Sequence, residues 1–422
     1  MKRDPSKTRV VVTGMGTINP IAHTVREYWE NLAAGKNGIR LLQHTDTTDY
    51  PVKIGGEVDL PENIADYMPK KMVNRLERFI VFAQIAAVQA FDDAGIRQED
   101  IDREPYRYGA IIGTGDAGNW GHYKACRTID KNNSVDMVSP FYVVGVIPNT
   151  PPAYFAKDRN FQGPNFSVNS ACATCNHAIG VAATIIKSGL ADVMMAGGCE
   201  SVVNTAGIAG FNAIGALSRR NDDPATASRP FDKDREGFVL SEGAGVLCLE
   251  ELEHAKARGA TIYAELSGYG LSCDAYDLVA PHPEGRGAAM AMSMAIESAN
   301  LNLSDVDLIN AHGTSTPLGD LAECRTIRRL FGDLADTIPV HSTKSMIGHL
   351  VGAAGGVEAI ATILALYKGV IHGSMNVFEQ DPELKLNVVA NQPIERKIKH
   401  ALSNSFGFGG QNSTIILSRF DG

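Results

Sequence analysis

Cys172 sits in Ser170-Ala171-Cys172-Ala173-Thr174, directly before an apolar run of helical period. A thiol at a helix N-terminus faces unpaired N–H groups and the positive end of the helix dipole, and both favour the nucleophilic thiolate. The bland alternative is a small buried hydrophobe. Cys175 makes a C-x-x-C pair with it, but a redox motif of that kind belongs near the start of a small βαβ domain. A zinc site needs a second ligand pair at comparable spacing, which the chain lacks, so no metal is expected. Two histidines add to the picture. His312 lies in Asn310-Ala311-His312-Gly313-Thr314-Ser315-Thr316-Pro317, where a strand gives way to a polar glycine turn. His349 ends Ser342-Thr343-Lys344-Ser345-Met346-Ile347-Gly348-His349, at the mouth of a helix. Both stand at element ends among small and hydroxyl residues, where site residues usually lie. The loop Asn404-Ser405-Phe406-Gly407-Phe408-Gly409-Gly410-Gln411-Asn412 could aim backbone N–H groups at an oxyanion, or be a structural turn.

Short apolar runs alternating with long helical patterns must position these residues, which is the signature of an α/β chain. Strands are expected at Arg9–Gly16, Tyr108–Gly115 and Asp192–Gly198, and helices at Phe79–Ala94, capped by Gly95, and Cys172–Gly189. The second half repeats the plan: Thr261–Gly270 resembles the opening strand, and Leu301–Thr316 mirrors the run ending at Gly115. Gly348–Gly369 stands in the place of Cys172–Gly189, and Ala401–Gly410 in the place of Asp192–Gly198. Four such pairs in one order indicate two related α/β halves. The charged stretch Leu249–Gly259 separates them, giving residues 1–255 with the cysteine and 256–422 with the histidines.

The 42 glycines among 422 residues show no collagen-like period or low-complexity tract, which excludes fibrous and disordered classes. The net charge of −9 argues against nucleic acid as a partner. Seven widely spaced cysteines suggest reduced thiols, and neither a leader nor a membrane span is found, so a cytoplasmic protein is expected.

The motifs NSACAT, NAHGTSTPLGD, STKSMIGHLVGAAGGVEA and NSFGFGGQN, in this order, resemble those of the β-ketoacyl-acyl carrier protein synthases. More narrowly they resemble the elongating type II synthases of fatty acid and polyketide assembly. Ser228–Ala260 is similar to the same family, and the resemblance spans nearly the whole chain. It implies a thiolase fold, in which two similar α/β halves form a five-layered α-β-α-β-α core, and a dimer. It also implies that Cys172 takes the growing acyl chain as a thioester from an acyl carrier protein. Malonyl-carrier protein would then lose carbon dioxide and attack that thioester. No free cofactor is implied, since substrates ride on the carrier's phosphopantetheine. His312 and His349 would donate hydrogen bonds to the malonyl thioester carbonyl, and the N–H groups of Cys172 and Phe408 would form an oxyanion hole. Lys344 and Glu323 occupy positions that support the histidines electrostatically. Thr314 and Thr316 would bind the pantetheine arm, and Phe408 would be a mobile gate.

The basic cluster Lys70, Lys71, Arg75 and Arg78, with Arg219 and Arg220, could be a solvated face or a dock for an acidic carrier. The chain also departs from the pattern. Asp116 falls where fatty acid synthases of this type carry an apolar residue on the acyl pocket, and a carboxylate there is costly unless paired. An acid at this position resembles the ketosynthases of highly reducing type II polyketide systems and implies an unsaturated or polar chain. A solvent-facing loop aspartate is the other reading. Pro151-Pro152 stands where a smoother helix entry is usual, and Asp277 replaces a common histidine. A degradative thiolase would carry a second cysteine in the glycine loop, and an initiating synthase one histidine with an asparagine. A non-catalytic chain-length factor would lack Cys172. Two readings stay open: a fatty acid synthase homodimer, and a polyketide ketosynthase paired with a chain-length-factor homologue.

Overall fold

The computed structural model describes residues 3–422, so the first two residues of the charged N-terminal segment lie outside it. Runs rich in Val, Ile and Met form strands because such side chains suit a pleated surface buried on both faces. The N-terminal half contains β1 (Val10–Ile18), α1 (Arg78–Ala94), β2 (Tyr108–Gly113), α2 (Asn119–Asn132) and α3 (Thr150–Arg159). It continues with β3 (Asn165–Phe166), α4 (Thr174–Lys187), β4 (Val193–Glu200) and β5 (Gly243–Glu251). After the short α5 (Leu252–Ala257) come β6 (Ala264–Cys273), α6 (Arg286–Ser298), β7 (Leu308–Asn310), α7 (Pro317–Phe331) and β8 (Pro339–His341). The chain closes with α8 (Lys344–Ile347), α9 (Ala354–Lys368), β9 (Asn387–Val388), β10 (His400–Gly407) and β11 (Gln411–Ser418).

The strands lie in the order β9-β8-β7-β10-β11-β6-β1-β5-β4-β2-β3. This is two sheets joined edge to edge, because β1 meets β6 through only Val11↔Glu265 and Val12↔Ala264. Outward from that seam the halves repeat one pattern. β1–β5 and β5–β4 are antiparallel and β4–β2 parallel; β6–β11 and β11–β10 are antiparallel and β10–β7 parallel. The repeat read from the sequence thus has a matching topology.

Three helical layers complete the core. Ala178, Ile179, Ala182 and Ile186 of α4 pack with Val357, Ile360 and Ile363 of α9 between the sheets. On one outer face α1 packs on β1, β2, β4 and β5, and on the other α6 and α7 pack on β7, β10 and β11. The result is the five-layered α-β-α-β-α arrangement. The central helix must approach β5 closely: a Cβ on Gly245 would stand 2.5 Å from the carbonyl carbon of Gly356. One helical stretch, Val351–Lys368, is long and apolar enough to cross a membrane, contrary to the sequence reading that none exists. However, 89% of it is buried within the protein, as its place between two sheets requires.

Helix starts differ from the sequence expectation in an instructive way. Cys172–Gly189 and Gly348–Gly369 become regular helix only at Thr174 and Ala354, each after a 3-10 turn, Ala171–Ala173 and Val351–Ala353. Ala171 (φ 49°) and Val351 (φ 46°) interrupt the helical backbone just ahead, in matching places of the two halves. Pro151-Pro152 lies in the first turn of α3, where no backbone N–H is required.

Candidate active site

The left-handed backbone at Ala171 lifts Cys172 onto its own turn ahead of α4, where the residue is 6% exposed. The turn Val351–Ala353 of the other half packs against it, and the segment before that turn delivers His349. His349 Nε2 lies 3.0 Å from Cys172 Sγ. His312, carried past the end of β7, meets His349 edge to face with ring centroids 5.3 Å apart and planes at 87°. The sulfur and one nitrogen of each ring all fall within 4.8 Å of one another. The glycine loop after β10 closes the cluster, and the backbone N–H groups of Phe408 and Cys172 both pull the Cys172 thiol toward its thiolate. Gly407 permits this approach, because a Cβ there would stand 3.2 Å from the Cys172 nitrogen.

Burial dominates the electrostatics. It pushes the Cys172 thiol up to about 12, against the opposing pull of Lys344 and the Phe408 N–H. The expectation that a helix N-terminus favours the thiolate is therefore outweighed in the resting site. Burial, followed by the Lys344 charge, holds both His349 and His312 well below the usual histidine range. The site thus pairs a neutral thiol with neutral imidazoles, each keeping one N–H to donate.

Lys344 is 1% exposed, and its ammonium pairs with the carboxylate of Glu358 on α9. Burial raises the Glu358 carboxyl to about 7 despite that partner. Glu323 on α7 is not hydrogen-bonded to either imidazole. It accepts the backbone N–H groups of His312 (2.9 Å) and Gly313 (2.8 Å) and the Asn404 amide (3.0 Å), fixing the turn that carries His312. Thr316 caps α7 by accepting from Gly319 N (3.2 Å), and its hydroxyl lies 2.9 Å from that of Thr314. Cys172, His312, His349, Thr314, Thr316 and Phe408 all line one cavity of about 400 Å³. The Phe408 ring packs 6.3 Å from Phe211.

Asp116 lies outside that cavity. Its backbone N–H is 3.3 Å from Glu200, and its carboxylate accepts from Asn119 at 2.5 Å. Glu200, fully buried at the end of β4, also accepts from Gly115 N (2.9 Å), Gly352 N (3.0 Å) and the Thr114 hydroxyl (3.2 Å). It ties the Asp116 loop of one half to the turn beneath His349 in the other. Burial and the Asp116 charge raise Glu200 to about 8. Sequence reasoning assigned no role to Glu358, Glu200 or Asn404. The available signal was an acid inside an apolar helix, VGAAGGVEA, and at the end of an apolar strand, VMMAGGCE.

Among the basic residues, Lys70, Lys71 and Arg75 are exposed, and Arg75 lies 4.5 Å over the Phe141 ring. Arg78 is committed inward, donating to buried Glu242 at 2.6 Å and to Val58 O at 2.7 Å. Arg220 donates to Asp234 O at 3.3 Å. All seven cysteines, Cys172 and Cys175 included, are free thiols.

Comparison with known proteins gives a consistent result. Residues 7–255 match the family described as Beta-ketoacyl synthase, N-terminal domain, and residues 263–378 match Beta-ketoacyl synthase, C-terminal domain. The chain is 42% identical to a 3-oxoacyl-[acyl-carrier-protein] synthase 2 of Synechocystis sp., covering 98% of this chain and 99% of that protein. It is 43% identical to the same-named protein of Staphylococcus aureus, again covering 98% and 99%. Among solved structures, it superposes with TM-score 0.91 and 32% identity on a type II polyketide synthase acyl-carrier protein in complex with its ketosynthase bound to the hexaketide. The ishigamide ketosynthase/chain length factor gives 0.90 and 32%; in both cases all of each chain is covered.

Proposed function

The chain belongs to the β-ketoacyl synthase family, and from that premise we propose that Cys172, His312 and His349 carry out a two-step condensation that lengthens an acyl chain by two carbons. In the first step the Cys172 sulfur attacks the thioester of an acyl carrier protein. The acyl C–S bond to the pantetheine sulfur breaks, the cysteine proton passes to that sulfur, and the acyl chain remains on Cys172. In the second, malonyl-carrier protein loses carbon dioxide, and the electron pair of the broken C–C bond becomes an enolate. That carbon bonds to the acyl carbonyl, the C–S bond to Cys172 breaks, and the departing thiolate takes a proton from solvent. The balance requires no oxidant, reductant or free cofactor.

The observation that carries this reading is the Cys172–His349–His312 cluster, with all three donor atoms within 4.8 Å in a cavity of thioester-arm size. The demanding moment is negative charge on a thioester oxygen, and two neutral imidazole N–H donors meet it without a prior protonation step. The N–H groups of Cys172 and Phe408 serve the tetrahedral intermediates of acyl transfer. Burial keeps both imidazoles neutral, the charge of Lys344, paired with Glu358, adds to it, and Glu323 is a positioning residue for His312. Thr314 and Thr316 bind the pantetheine arm, and Phe408 gates the cavity. The division into residues 1–255 and 256–422, action in the cytoplasm and docking of an acidic carrier at Lys70, Lys71, Arg75 and Arg220 belong to the same proposal.

Asp116 favours a second, narrower reading: a polyene-forming ketosynthase that works with a chain-length-factor partner rather than as a fatty acid synthase homodimer. Asp116 does not line the cavity that holds Cys172, so on this reading it meets the acyl chain only where the chain extends past that cavity. Incubation with malonyl-carrier protein and a panel of acyl-carrier proteins, with products read by mass spectrometry, tests both readings. Products two carbons longer, with release of carbon dioxide, support condensation, and failure on every primer contradicts it. Equal use of saturated primers by wild type and Asp116→Leu removes the second reading.

A further inference from the structure

The segment between β6 and α6 forms one wall of the active-site cavity and is tied to the glycine loop by hydrogen bonds. Asp274 accepts the His282 backbone N–H on one oxygen (3.0 Å) and the Asn412 amide on the other (2.8 Å). Leu278 O accepts the Gly409 N–H at 2.7 Å. The His282 ring is fixed as well: Nδ1 accepts the Glu284 N–H at 3.1 Å, and the Tyr276 ring packs against it with centroids 5.2 Å apart. Because Nδ1 accepts, Nε2 is the nitrogen that carries an N–H. Among the described residues Nε2 has no hydrogen-bond partner, and His282 lines the same cavity as Thr314 and Thr316. Being half-buried where Cys172 is buried, it stands nearer the cavity mouth.

We infer that His282 is a specificity residue for the carrier's prosthetic arm, with Nε2–H donating to an oxygen acceptor of phosphopantetheine beyond the amide nearest the thioester. A preorganised donor with no internal partner gives its full hydrogen bond to an incoming acceptor, because neither a rotamer nor an internal bond is lost. The arm offers such oxygens in its outer amide, its hydroxyl and its phosphate. This inference rests on the reading of Cys172 as the residue acylated from a carrier.

The test compares wild type, His282→Ala and His282→Gln on acyl thioesters of N-acetylcysteamine, pantetheine and phosphopantetheine. Loss of one such hydrogen bond corresponds to about a five- to tenfold effect. KM for the pantetheine thioester should rise by that factor in His282→Ala and recover in His282→Gln, while KM for the N-acetylcysteamine thioester stays within about twofold. A rise confined to the phosphopantetheine thioester also supports the assignment and places the acceptor on the phosphate. An equal rise on all three thioesters, or none on any, overturns it. Acylation of wild-type Cys172 is read separately by mass, so failure of the parent reading is distinguishable from failure of this one.

Discussion

At the scale of single residues, the cost of the site is concentrated in Lys344 and Glu358, two opposite charges sealed in the core. Removing one partner of a buried pair leaves the other uncompensated, whereas replacing both with apolar groups is often neutral. Lys344→Ala should therefore lower unfolding stability by about 3 kcal/mol in denaturant titration. Lys344→Met with Glu358→Leu should restore most of that stability without restoring turnover. The pH profile separates the electrostatic role from packing. Lys344 lowers both imidazoles, so its loss raises them, and the acid limb of the condensation rate should move up in pH. An unmoved limb would leave Lys344 with a packing role only. Cys172, the two histidines and the glycine loop are legible in the sequence because their motifs are local. Glu358 and Glu200 were not read, because a carboxylate's burial is set by elements far apart in the chain.

At the scale of elements, β8 meets the segment after α9 through a buried histidine pair. His341 and His372 pack with ring centroids 4.1 Å apart, and His372 Nε2 lies 3.1 Å from the Thr343 hydroxyl. Burial lowers both, His372 to about 4. The folded state keeps both rings neutral, while the unfolded chain takes up protons near pH 6.5. Stability is thus fully present above about pH 6.5 and falls as pH drops from there toward about 4. Each histidine contributes at most about 1.4 kcal/mol per pH unit to that slope. Denaturant midpoints from pH 7 to 5 should fall less steeply in His341→Ser/His372→Ala than in wild type, whatever the variant's absolute stability. Equal slopes would contradict the account. The existence and order of the strands and helices followed from hydrophobic period and glycine punctuation. The delayed starts of α4 and α9 did not, because each follows a positive φ, at Ala171 and Val351, where two turns far apart in sequence pack together.

At the scale of the molecule, the duplication explains why the cluster lies at the joint between halves: each half contributes one turn and one central helix, and Cys172 and the two histidines come from different halves. That symmetry was readable from four repeated segments, whereas the roles of the basic residues were not. Arg75 is exposed, but Arg78 is bound to buried Glu242, so the cluster is smaller than its sequence. Arg75→Glu should raise KM for acyl-carrier protein about fivefold, the equivalent of a ~1 kcal/mol exposed ion pair, and leave KM for a pantetheine thioester unchanged. Arg78→Glu should instead lower stability; equal behaviour of the two variants would contradict the distinction. The central claim, that Cys172 holds the acyl chain, is tested most directly by intact-protein mass after incubation with acyl-carrier protein alone. Wild type should gain the mass of one acyl group, localised to Cys172, and Cys172→Ala should gain none. A correctly folded Cys172→Ala protein carrying the same adduct, or a wild type that never acquires it, would contradict the account.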